Sequence, residues 1–172
     1  MPLHDLQWLN SLADDQAVNK LKSCCGSSRW ASEIARRRPY DSFGQLTDVA
    51  ADVWWQLAPA DWLEAFRSHP RIGQKSAEVS ASAQSQQWSH SEQAQMEDAS
   101  ANATSALARL NETYQAQFGF IFIVCATGKS PEEMLAILRE RLENGPDEEL
   151  RIAAAEQAKI TELRLKKLID CP

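Results

Sequence analysis

The sequence has no apolar run near the ~20 residues that a membrane-spanning helix needs. It has no excess of positive charge either: 18 Lys and Arg stand against 24 Asp and Glu, a net charge of −6. Broad nucleic-acid binding needs a basic face, so that class is set aside. An anionic small molecule is not, because one or two local arginines outweigh a global sign. Cysteine is scarce, at Cys24, Cys25, Cys125 and Cys171. Adjacent Cys24 and Cys25 do not make a CxxC pair, and His4 is distant, so no zinc-ligand spacing is present. Reduced thiols are the expectation. Met1-Pro2-Leu3-His4-Asp5 lacks the basic start and apolar run of a signal peptide. Cys171-Pro172 is not a peroxisomal signal. Cytoplasm is therefore expected. There is no internal repeat and no interdomain linker, and 172 residues suit one domain, 1–172, with its own core.

What is present is helical periodicity. Leu3, Leu6, Leu9 and Leu12 recur at helical spacing. Asp14 is placed to cap a second helix through Leu21, with Gly26 as a stop. Ser27 or Ser28 opens a third, with Trp30 and Ile34, which ends by Arg38 because Pro39 follows. Arg36-Arg37-Arg38 reads either as a nucleic-acid patch or as three cations at a helix C-terminus. Ser42 to Gln45 has capping-box spacing. The helix it opens puts Leu46, Val49, Ala50, Val53, Trp54 and Leu57 on one face, and Trp54 and Trp55 read as core. Pro59 starts a short helix with Trp62, Leu63 and Phe66 turned inward. Residues 73–88 read as loop. Ser89 to Phe118 reads as one long helix with Met96, Ala99, Ala103, Leu107, Leu110 and Tyr114 on its inner stripe. Ser130-Pro131-Glu132-Glu133 is a helix start. That helix buries Met134, Leu135, Leu138 and Leu142, and a last helix runs from Pro146 to about Ile169. The fold class expected is all-α, a helical bundle of about eight helices. One segment breaks the pattern. Phe118 to Ala126 is apolar, aromatic and β-branched, so it prefers an extended path. Without a sheet, its N–H and C=O groups need other partners.

Three places carry chemistry. His69 stands between Ser68 and Pro70 at a helix end, beside the long polar stretch, with Arg67 and Arg71 nearby. Histidine exchanges protons near neutrality, although a lone histidine is also commonly just a hydrogen-bonded side chain. Ser89-x-x-Glu92 is again a capping box, and the helix start it predicts would offer free N–H groups to a polar ligand. Arg164 shares a face with Ile160 and Leu168 on the last helix. A guanidinium there needs an anion, either an internal acid such as Glu92 or a substrate carboxylate. Alone, these signals describe a helical enzyme or binding domain with a His-Glu-Arg pocket, and no reaction.

Four stretches together go further. His69-Pro70-Arg71-Ile72-Gly73, Ser89-His90-Ser91-Glu92-Gln93, Phe118-Gly119-Phe120-Ile121-Phe122 and Leu163-Arg164-Leu165 resemble, in order and spacing, the OHCU decarboxylases. So does the stretch from Trp30 to Tyr40. One departure is Ile121, where the family often has proline. The resemblance implies an all-helical homodimer without cofactor or metal. Its implied reaction converts 2-oxo-4-hydroxy-4-carboxy-5-ureidoimidazoline (OHCU) to (S)-allantoin and carbon dioxide. It implies His69 as the catalytic histidine; on chemical grounds Glu92 is expected to join it, orienting His69 or the ureido group. Pro70, Ser89, His90, Ser91, Glu92, Gln93, the backbone of Phe122, Ile123, Val124, Cys125 and Ala126, and Arg164 are the implied substrate-binding set. Association with the preceding 5-hydroxyisourate hydrolase is a further expectation. Two rivals stand beside this reading. One is a non-catalytic helical domain that binds a ligand or protein. The other is a metal hydrolase built on His69, His90 and Glu92, whose spacing matches no zincin pattern.

Overall fold

Ser27, Ser42 and Ser130 each pair an otherwise orphaned amide at a helix start. Their Oγ atoms accept from Trp30 N at 3.2 Å, Gln45 N at 3.1 Å and Glu133 N at 3.1 Å. At Ser130 the box is reciprocal, because the Glu133 carboxylate accepts the Ser130 amide at 2.7 Å. At Ser42 the return bond slips by one residue, from Asp41 N to Gln45 Oε1. Asp14 is not a cap. It is the first residue of its helix, Ala13 holds the cap position, and the helix runs past Leu21 to Cys24.

The structure, a computed structural model, describes residues 4–71, 83–92 and 101–170. The elements are α1 His4–Ser11, α2 Asp14–Cys24, α3 Ser28–Arg36, α4 Phe43–Gln56, α5 Pro59–Arg67, α6 Ala83–Glu92, α7 Ala101–Phe118, α8 Pro131–Arg141 and α9 Pro146–Asp170. The all-α class holds: among the described residues there are nine helices and no strand. Expected positions Leu3, Gly73, Gln93, Met96, Ala99 and Cys171, and the side chain of His90, lie outside the described residues.

The chain divides into two compact units, Met1–Ala65 with Ala158–Pro172, and Phe66–Gln157. In the first, α2 packs on α3 and α3 on α4. Leu9, Leu21, Trp30, Ile34, Leu46, Leu165 and Leu168 are its buried apolar residues. Trp54 and Trp62 are buried too, and the Trp62 indole donates to Trp54 O at 2.9 Å. Trp55 corrects the expectation of a paired tryptophan core: it is 48% exposed, edge-on to Trp62. One position on, it points to the other side of α4. The arginine run is engaged locally. Arg38 donates to the carbonyls of Ala35, Leu9 and Leu12 and pairs with Asp14. Arg36 and Arg37 pair with Glu33. Cations at helix C-termini are what the macrodipole favours.

In the second unit α7 packs on α8. Gly119 ends α7 at φ +84°, its amide bonded to Gln115 O at 2.9 Å, a backbone turn that a side chain would strain. The segment after it, residues 120–126, forms neither helix nor strand among the described residues, which fits the expected break in the helical pattern. Phe122 and Val124 enter a core with Leu107, Tyr114, Met134, Leu135 and Leu138. Behind them lies a buried ion pair, Arg141 to Glu149 at 2.5 Å, with side chains 6% and 0% exposed. Tyr114 donates its hydroxyl to the same Glu149 oxygen, and Asn144 donates to the other. Burial pushes the Tyr114 phenol above its usual range, and it stays protonated. The Arg141 guanidinium also donates to Ile123 O and lies 4.7 Å from the centre of the Phe122 ring.

Removing one partner of a buried pair strands the other charge. Arg141→Met is therefore expected to lower unfolding free energy by about 3–5 kcal/mol. Arg141→Met with Glu149→Leu should recover much of it. Urea denaturation measures both; a loss under about 1 kcal/mol in the single variant would contradict the network's role.

Candidate functional site

α5 carries the chain into the site and ends at Arg67. His69 follows in a turn, its amide bonded to Phe66 O at 3.1 Å, and Pro70 prevents the helix from continuing. This is the helix-end position that the sequence predicts. Phe66 is fully buried and packs on Phe120 at 5.4 Å between ring centres. The turn that holds His69 thus rests on the extended segment. The His69 ring is half-buried, and its Nε2 lies 2.6 Å from Gln157 Oε1 on α9. Arg71 donates to the Gln115 amide oxygen on α7.

The Ser89 to Glu92 reading needs correction. The described span of α6 is Ala83–Glu92, so these residues lie inside a helix already formed before Ser89, not at its start. Ala83, Gln84, Gln86 and Gln87 favour helix, and 83–88 is helix where a loop is expected. Ser85 and Ser89, four apart, are both 2% exposed. Amides beyond the first turn of a helix are already used within it, so Ser89 to Glu92 do not offer the anticipated N-terminal anion site. Ser91 is exposed and Glu92 half-buried.

Glu92 still reaches the extended segment electrostatically. Burial, first, pushes the Cys125 thiol up, and the charges of Glu156 and Glu92 act in the same direction against Lys129. Side chains also satisfy the backbone here. The Glu156 carboxylate accepts the Cys125 amide at 3.3 Å, and Lys129 Nζ donates to Cys125 O at 2.8 Å. Phe122, Ile123, Val124 and Cys125 are buried, Ala126 half-buried. The second unit therefore holds His69, Pro70, Ser89, Glu92 and the 122–126 backbone.

Arg164 belongs to the first unit. It is 1% exposed between buried Ile160 and Leu168, as the spacing of four predicts. Its Nη1 donates to Ser23 O at 3.3 Å. Cys24 and Cys25 lie within reach of its charge. Burial still dominates, raising the Cys24 thiol and pushing Cys25 up to about 12.

Sequence reasoning missed Glu149, Glu156 and Gln157, which are buried on α9, and Arg141, buried on α8. A signal existed. Glu149, Glu156, Gln157, Ile160, Arg164 and Leu168 recur at steps of one to seven residues on one helical stripe, and polar residues inside such a stripe call for partners. Among the described residues, no group of three His, Cys, Asp or Glu side chains is arranged to hold a metal ion, and no helix is long and apolar enough to cross a membrane.

The family model for OHCU decarboxylase matches residues 10–166. The chain belongs to the OHCU decarboxylase family. It is 46% identical over 161 residues to the uric acid degradation bifunctional protein TTL of Arabidopsis thaliana, covering 92% of this chain and 49% of that one. The chain thus spans about half the length of this relative. It is 30% identical to the 2-oxo-4-hydroxy-4-carboxy-5-ureidoimidazoline decarboxylase of Haloferax volcanii, over 93% of each. A crystal structure of an OHCU decarboxylase in the presence of (S)-allantoin superposes with a TM-score of 0.77 at 42% identity, covering 88% of this chain and 98% of that one. The family fold and this all-helical chain therefore agree.

Thiols buried and held protonated are poor nucleophiles. Cys24 and Cys25 are expected to resist N-ethylmaleimide in the native protein at pH 8 and to react fully once it is unfolded. Peptide mass spectrometry checks this; rapid native labelling of either would contradict the packing.

Proposed function

We propose that the chain is a carboxy-lyase that converts OHCU to (S)-allantoin and carbon dioxide, late in urate breakdown. The family match along residues 10–166 carries this reading. The histidine turn and the extended segment supply the chemistry it needs.

The substrate provides its own electron sink. Breaking the bond between C4 and its carboxylate releases carbon dioxide. The electron pair forms C4=C5, and the C5=N π pair moves onto nitrogen, which takes one proton from water. The intermediate is an enol. Its 4-hydroxyl gives up a proton as the C4 carbonyl forms, and C5 gains one. Neither a metal nor an organic cofactor is called for by this electron flow. The protein's tasks are to hold the carboxylate out of the ring plane, to stabilise the enol, and to deliver the C5 proton from one side.

His69 is the general acid and base, taking the hydroxyl proton and returning one to carbon. Glu92 accepts from the ureido N–H groups. The backbone from Phe122 to Ala126 reads the polar edges of the ring, and Pro70, Ser89, His90, Ser91 and Gln93 line the substrate. Arg164, carried over from the family motif alone, holds an anionic or carbonyl group. The protein works as a cytoplasmic homodimer, measurable by sedimentation equilibrium. The bifunctional Arabidopsis relative, of which this chain covers 49%, supports association with the preceding hydrolase.

The deciding experiment follows circular dichroism of allantoin while urate oxidase and 5-hydroxyisourate hydrolase generate the substrate in place. A rapid signal of the S enantiomer is expected, absent from the blank. His69→Asn should slow it about 10²–10⁴-fold, the usual contribution of general acid–base catalysis, with an unchanged far-ultraviolet spectrum. A slow, optically silent product equal to the blank would leave a domain that only binds.

A further inference from the structure

Gln157 is fully buried at the middle of α9, with its amide oxygen 2.6 Å from His69 Nε2. An amide oxygen has lone pairs and no proton, so it meets the ring only as an acceptor. Nε2 therefore carries the hydrogen. A neutral imidazole has one N–H, which leaves its lone pair on Nδ1. We infer that Gln157 is a positioning residue: it fixes His69 in the Nε2–H tautomer and makes Nδ1 the atom that exchanges a proton with substrate. This rests on the decarboxylase reading above.

The geometry supports it in two ways. First, the anchor is rigid. Gln157 sits in a long helix, and its neighbour Glu156 accepts the Cys125 amide at 3.3 Å. Two consecutive residues thus hold the histidine turn and the extended segment, whose relative placement is also set by Phe66 against Phe120. Second, the contact fixes the ring plane as well as the proton. A bond to Nε2, together with the bond from the His69 amide to Phe66 O, restrains both ends of the residue. In the reaction, Nδ1 takes the 4-hydroxyl proton while Nε2 keeps its own, and the imidazolium then gives one proton to C5. Protons balance over the step, and Gln157 Oε1 accepts from Nε2–H throughout.

The test separates acceptor chemistry from packing. Gln157→Glu keeps an accepting oxygen at similar size. Gln157→Met keeps the size and removes the acceptor. Long-range 1H–15N spectra of the imidazoles, recorded on the full chain without substrate, report the tautomer, with the His69 signals assigned by their loss in His69→Asn. The wild type and Gln157→Glu are expected to show a protonated Nε2 and a bare Nδ1, and Gln157→Met a mixture. In the allantoin assay, Gln157→Met should lose about 10–100-fold in kcat, in the range of other residues that orient a reactive group, with KM within about twofold. Gln157→Glu should recover most of the loss, which a packing role would not predict for a carboxylate at a buried site. A bare Nε2 in the wild type, an unimpaired Gln157→Met, or a Gln157→Glu no better than Gln157→Met overturns the inference. If Gln157→Glu fails to fold, the wild-type spectrum and Gln157→Met decide. An inactive wild type overturns the functional reading and the catalytic half of this inference together; an active one with a bare Nε2 overturns the inference alone.

Discussion

A guanidinium and a carboxylate, both withdrawn from water, stand behind the stretch of backbone that belongs to no helix. Arg141 and Glu149 neutralise each other at 2.5 Å, and the surplus donors of the guanidinium go to Ile123 O and toward the Tyr114 hydroxyl. A buried pair of this kind is not a large source of net stability, because desolvation offsets most of the attraction. Its effect is on which conformation is allowed. A path for residues 119–126 that took Ile123 O away would leave a guanidinium N–H and a carbonyl unpaired inside the protein, at a cost of about 1–3 kcal/mol for each group left without a partner. The aromatic rings of Tyr114, Phe118, Phe120 and Phe122 pack edge-on and tilted around the same point, so apolar burial and polar pairing select the same path.

The rest of the candidate site inherits its position from that path. Phe66 rests on Phe120 and carries the histidine turn with it. Glu156 and Gln157 then reach the Cys125 amide and the His69 ring from one turn of α9. An extended segment among helices is costly in backbone partners. Here three of its polar groups, Ile123 O, Cys125 N and Cys125 O, are met by Arg141, Glu156 and Lys129. On the decarboxylase reading proposed above, such rigidity would serve the reaction, because donors and acceptors that need no reorganisation stabilise charge best.

Much of this was legible in the sequence. Helix starts at Ser27, Ser42 and Ser130 follow from local capping chemistry, which needs no distant residue. The helix-end position of His69 follows from Pro70, and the burial of Arg164 from its spacing with Ile160 and Leu168. Ser89-x-x-Glu92 shows the limit of such local signals. The same four residues suit the start of a helix or its interior, and the helical residues already in place from Ala83 onward decide for the latter.

The sequence by itself determined the all-α class, the break in helical pattern after Phe118 and the family. Each depends on periodicity or on residues close together in the chain. Only the tertiary structure decided which buried polar groups face one another. Arg141 meets Glu149 across the Asn144-Gly145 turn, Tyr114 meets Glu149 across 35 residues, and His69 meets Gln157 across 88. A glutamine in a helical stripe reads the same whether it faces water, a carbonyl or an imidazole. Its partner is fixed only when hydrophobic burial has brought distant helices together, and then the cost of an unpaired buried amide makes that partner obligatory.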